Sequence, residues 1–152
     1  MKSHSLAAIV GVTPLAIVPL TNLSRCSSSN DLIFLCDEIL FYLAYDKETI
    51  NSYGFLCHIL KKHEKAVYHA IASVLLSNAV NYLPYVYHLA LFHQRRAVEL
   101  EPTNVGYKEY LLYFNDIPEK VLSDKEAIKI AKEILVLDPK NEVASRVIKR
   151  TS

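Results

Sequence analysis

Six histidines, three cysteines and a few acid pairs are the residues of this chain with chemistry to offer. A metal site on a helix needs two ligands three or four residues apart, so that both turn to one face. His88 and His93 are five apart, as are His58 and His63, so each pair is expected to point to different faces. The stretch "HEKAV" lacks the second histidine of a zinc-protease helix. Structural roles are therefore expected, with His93 a hydrogen-bonded core residue. Cys26, Cys36 and Cys57 are odd in number and form no Cys-x-x-Cys pair, so neither a disulfide framework nor a zinc site is expected. They read as free thiols in a reducing compartment, with Cys36 and Cys57 as small core residues.

Catalytic patterns are also missing. No Ser, Cys or Thr sits in a nucleophile elbow, and no glycine-rich loop follows a strand in a chain with only three Gly. Asp37/Glu38 and Asp116/Glu119 are read as helix surface and caps. Arg95 and Arg96 with Lys108 have the charge for a phosphate, although a solvated helix face explains them more simply. No catalytic, cofactor-binding or metal residue is expected.

The unusual feature is tyrosine. There are ten, and "NYLPYVYH" places Tyr82, Tyr85 and Tyr87 within six residues. Packing between helices explains such a cluster. So does a binding surface, since Tyr and Arg are enriched at interface hot spots. The segment from Tyr82 to Arg96, with Arg95 beside it, is one candidate surface. The other is Asp116 with Glu119 in the long connection "NDIPEKVLSDKE", because long loops carry function more often than packed helices.

These residues need a scaffold. At 152 residues, 51% hydrophobic and 22% charged, the chain is long enough for one globular domain. A net charge of +1 supplies no general field for nucleic acid or an anionic membrane. Lys2 precedes the uncharged stretch "LAAIVGVTPLAIVPL", which is short for a membrane span and is interrupted by Pro14 and Pro19. Residues 1–29 are expected to be a buried apolar segment of a cytoplasmic protein. Export is the alternative, if residues 1–26 act as a signal peptide.

Apolar residues then recur at helical spacing. Leu32, Leu35, Cys36, Ile39 and Leu43 form one stripe behind an Asn30 cap, and Ile50, Phe55, Ile59 and Leu60 form the next. A helix is expected over 64–77, and another with Pro84 in its first turn and Val86, Leu89, Ala90, His93 and Ala97 on one face. Asn104 and Ser123 are expected caps, Ser123 with Glu126 as a capping box. Tyr107, Tyr110, Leu111 and Phe114 line one helix, and Ala127, Ile128, Ala131, Ile134 and Leu135 the next.

Two stretches share a pattern: "LEPTN" (100–104) and "LDPKN" (137–141), with their prolines 37 residues apart. Proline disfavours helix at the residue before it and lacks a backbone donor. A helix, a proline turn and a new helix, repeated at roughly 34 residues, is the signature of a helical-hairpin solenoid. Here the chain resembles tetratricopeptide repeats over about 85–149. Ala90 and Ala97 fall where that family has small residues before Pro102, and Ala127 falls on the equivalent of Ala90. Ile134 replaces the second small residue, and the extra length fits in "NDIPEKV". The resemblance implies an all-α fold of stacked antiparallel helical hairpins, about seven or eight helices in one domain. Leu100, Ala97, Leu111, Phe114, Ala131 and Ile134 are expected to be buried. The segment from Tyr87 to Leu135 also resembles small helical immunity proteins of bacterial toxin systems. That implies a non-catalytic inhibitor covering the active site of a toxin domain. The alternative is an adaptor for a peptide or protein complex. In either case the partner is a protein, with no direct nucleic-acid contact and no membrane span.

Overall fold

The computed structural model describes residues 50–151, and among these the chain is all-helical. Six helices follow one another: α1 (Asn51–Lys62), α2 (Ala66–Asn78), α3 (Val86–Leu100), α4 (Val105–Asp116), α5 (Asp124–Leu137) and α6 (Glu142–Thr151). The stripe from Leu32 to Leu43, the Asn30 cap, Cys26, Cys36 and the N-terminal apolar segment lie outside the described residues.

Each helix packs on the next, most extensively α2 on α3, and α4 also touches α6. Eleven of the thirteen residues of α2 are buried, including Ala70, Val74, Leu75 and Leu76. A helix apolar on every side belongs in the interior. The main core joins α2 to α6 through Leu75, Leu112, Phe114, Leu122 and Ile134. Two smaller clusters lie at the other end. Leu56 meets Tyr68 and Ile71 between α1 and α2, and Ala66, Ala70, Ala97 and Tyr107 meet where α2, α3 and α4 converge. Small side chains there let the backbones approach closely.

The two proline turns share the same set of backbone, cap and asparagine–acid bonds; the second adds Lys140 N–H to Asp138 and Asn141 to Glu109. Asn104 N–H donates to Glu101 O at 3.1 Å, and Asn141 N–H donates to Asp138 O at 3.1 Å. Each asparagine then caps the helix it opens: Asn104 Oδ1 accepts from Tyr107 N–H at 3.2 Å, and Asn141 Oδ1 accepts from Ala144 N–H at 3.0 Å. Each amide also donates back to the acid of its own motif, Asn104 to Glu101 and Asn141 to Asp138, both at 3.2 Å. The pattern Leu-acid-Pro-x-Asn is thus one device. Proline stops a helix, asparagine starts the next, and the acid locks the asparagine.

Side-chain pairs record the register. Glu64–Arg96 and His69–His93 run in opposite senses along α2 and α3, as do Asn115–Asp124 and Lys108–Glu133 along α4 and α5. Glu109–Asn141 and Asp116–Arg150 run in the same sense along α4 and α6. Between α2 and α4, Tyr110 donates to Ser77 Oγ at 2.8 Å, because the Ser77 hydroxyl is itself committed to Ser73 O, and accepts from Asn78 at 3.2 Å.

Several expected positions move. Leu100 is exposed, since it is the last residue of α3 and the chain leaves the core at Glu101. Leu89 is exposed as well, on the side of α3 away from Ala90, Gln94 and Ala97. In α1 the buried residues are Ser52 and Leu56; of the expected stripe Ile59 and Leu60 pack half-buried against α2, while Phe55, and Ile50 just before the helix, are exposed. Cys57 is half-buried, on the rim of an open depression. Pro84 precedes α3 instead of entering it, because Tyr85 takes a left-handed conformation, φ 60°, between them. Ile130 is buried, whereas Ile128 and Leu135 are half-buried. Ser123 caps α5 by accepting from Glu126 N–H at 3.3 Å, but the Glu126 side chain turns to Arg95 instead of closing the box.

Candidate functional site

The face built by α3 and the connection before it carries the exposed aromatics. Tyr85, Leu89 and Phe92 are spaced four and then three residues apart, which puts them on one stripe. Tyr85 is 84% exposed, Tyr82 62% and Phe92 58%. A bulky residue at positive φ is uncommon and costs of order 1–3 kcal/mol, which the surroundings must offset. Here it aims an aromatic ring into solvent. Tyr87 leaves the stripe and packs half-buried on the core. There Tyr113 is pushed up from the ordinary tyrosine value, first by burial and then by the Tyr87 and Tyr110 hydroxyls.

The charged candidates are all engaged except one. Arg95 forks onto both oxygens of Glu126 at 2.8 and 2.9 Å. Arg96 forks onto Glu64 at 2.7 and 3.1 Å and reaches Glu99 at 2.9 Å. Each of these cations holds a carboxylate; Arg95 and Arg96 do so at the surface, whereas Lys108, expected on a solvated face, is buried against Glu133. Asp116 pairs with Arg150, and Glu119 is exposed in the α4–α5 connection. The extra residues of that connection serve packing: Ile117 and Leu122 enter the core, and the Asn115 amide donates to Leu122 O at 2.9 Å.

A second cluster, absent from the sequence-based candidates apart from His93, lies where α1, α2 and α3 meet. His69 and His93 are both buried, with their Nδ1 atoms 2.8 Å apart. His93 Nε2 is 2.9 Å from the Tyr53 hydroxyl, and His69 Nε2 is 3.3 Å from Glu64 Oε1. Glu64 fixes the proton positions. Arg96 first, and His69 after it, hold its carboxyl down at about 2, so it only accepts. His69 therefore donates from Nε2 and accepts at Nδ1. His93 then donates from Nδ1 and accepts at Nε2, from Tyr53. The chain has a single direction: Tyr53 to His93 to His69 to Glu64. Burial lowers the basicity of both rings, His93 down to about 4 with the neighbouring His69 adding to the effect. Burial is also the first cause pushing Tyr53 up, with the neighbouring Cys57 adding to it. The cluster forms the floor of an open depression of about 510 Å³, whose rim includes Cys57, Lys61, Lys62 and Glu64.

This arrangement can store or pass a proton between two buried rings. Among the described residues no three His, Cys, Asp or Glu side chains converge as a metal site would require. No helix among them is long and apolar enough to cross a membrane. No protein-family model matches the chain, and no curated protein or solved structure matches it.

Proposed function

We propose that this chain is a non-catalytic protein-binding module of stacked antiparallel helical hairpins, and that it engages its partner through the α3 face. The stripe of Tyr85, Leu89 and Phe92, preceded by Tyr82, is the observation that carries the reading. Exposed aromatics grouped on one face, one of them, Tyr85, held by a strained backbone, are poor for solubility and good for recognition. The repeat reading is supported by the two matching turns. It is also supported by hydrogen bonds joining residues 31 to 35 positions apart, as in Ser77–Tyr110, Arg95–Glu126, Asn141–Glu109 and Arg150–Asn115. Contacts about one repeat away are what a helical solenoid makes.

The most concrete form of this reading is an immunity protein that covers the active site of a cognate toxin domain. Inhibition is then stoichiometric and needs only tight burial. The test uses the product of a toxin-like reading frame next to the gene. Tyr85→Ala with Phe92→Ala is expected to abolish binding and protection of cells expressing it. Asp116→Ala with Glu119→Ala is expected to retain both. The opposite result moves the partner site to the α4–α5 connection, and no binding by the unmodified chain defeats the immunity reading.

A further inference from the structure

The histidine pair links α1 to the α2–α3 pair, which is itself the most extensive helix contact among the described residues. Tyr53 brings α1, His69 brings α2 and His93 brings α3, while Glu64 brings the α1–α2 connection. Ser52 and Leu56 of α1 are buried and Tyr53, Ile59 and Leu60 pack half-buried against α2, so the Tyr53 bond ties to α3 a helix that otherwise rests on α2. We propose that the His69–His93 pair is an acid-sensitive latch that holds α1 on α2 and α3 and releases it when the pair takes up protons.

The chemistry follows from the single direction of the chain. A first proton on His69 Nδ1 would face the Nδ1–H of His93 at 2.8 Å. The clash is relieved only if His93 passes its proton to Nε2 and the Tyr53 hydroxyl turns to accept. A second proton has no such escape, because both Nδ1 atoms then donate toward each other. No free carboxylate faces the pair among the described residues. The groups around it are Tyr53 and Cys57 from α1, Glu64 from the connection, and Arg96 with Glu99 from α3; Tyr107 of α4 packs near the base of α2. Glu64 and Glu99 are already bound to Arg96, and Lys61 and Lys62 add positive charge at the rim. Phe92 meets His93 in a T-shaped contact and brings no charged group.

The sign is that of a histidine whose basicity falls on folding. The closed state binds fewer protons than the open one, so the latch is secure above about pH 6.5 and weakens as pH falls toward 4. One such histidine raises the opening constant roughly thirty-fold between pH 7.5 and pH 5. Amide hydrogen exchange on the full chain, corrected for the intrinsic rate at each pH, reads this directly. The expected result is loss of protection over residues 51–64 by about that factor, with α4, α5 and α6 retaining theirs. His93→Gln, which does not titrate, should remove the pH step. Ring-proton titration of His93 in the unmodified protein should share its midpoint with the α1 opening, which decides the matter even if the variant does not fold. Protection of α1 that is flat from pH 7.5 to 5 would overturn the latch. So would equal loss across α4–α6, a step that persists in His93→Gln, or midpoints that do not coincide.

Discussion

The α1–α3 end and the α4–α6 end are built from the same kind of helix by different means. At the N-terminal side of α1, α2 and α3 stand Ile50, Lys65 and Tyr85, and none of their side chains caps the helix. Asn104, Ser123 and Asn141 cap α4, α5 and α6. Among the described residues, six of the nine buried polar ones, Ser52, His69, Ser73, Ser77, His93 and Gln94, lie on α1–α3. Two of them, at Ser73 Oγ and Gln94 Oε1, leave buried atoms without a hydrogen-bond partner. In α4 the rings of Tyr110, Tyr113 and Phe114 stack and meet edge-on instead. One end is fixed by turn chemistry, apolar packing and carboxylate contacts such as the buried Lys108–Glu133 pair, with no histidine on α4, α5 or α6. The other depends on a buried polar chain, where protons taken up by the two rings change which bonds can be made. Responsiveness and rigidity are thus separated along the chain.

The contrast can be broken or sharpened by substitution. The largest effect is expected from Phe114→Ala, which empties a fully buried ring site in the main core and should cost about 3–5 kcal/mol in urea unfolding. A much smaller loss would mean that the capped end is not the stability centre. Ala97→Leu follows, because Ala97 is fully buried against Ala66, Ala70 and Tyr107, and overpacking there should cost about 1–3 kcal/mol. Unchanged thermal stability would show that the α2–α3 contact is loose. Asn104→Ala and Asn141→Ala should each cost about 1 kcal/mol, by about the same amount if the two turns are energetically as alike as their bonds. Smallest is Ser73→Ala, expected to leave stability unchanged or raise it by up to about 1 kcal/mol, since the hydroxyl it removes has no partner. A clear loss would reveal a bond that Ser73 makes in solution.

The capped end was the legible one. Pro102, Asn104, Ser123 and Pro139 act within four residues of themselves, so local spacing showed their roles. Ala97, Phe114, Ala131 and Ile134 were readable as core because their helices have one clear apolar side. The polar end was mostly hidden. His93 stood out on its stripe, but its partners are 24 and 40 residues away, on helices whose relative placement no spacing rule supplies. The apolar residues of α1 misled for a related reason: Phe55 is as hydrophobic as Leu56, and only packing distinguishes them. Tyr85 was noticed as an aromatic, while its positive φ is a backbone property that its side-chain type argues against.

The matching turns have a consequence for ancestry and engineering. Pro102 and Pro139 occupy the same backbone geometry, with Ala97 and Ile134 in equivalent places before them. A crossover between the two turns in misaligned gene copies would therefore delete or duplicate one 37-residue unit and leave an intact junction either way. A shortened form joining α3 directly to α6, or a lengthened one carrying α4 and α5 twice, can be built by cutting at the prolines without designing a new linker.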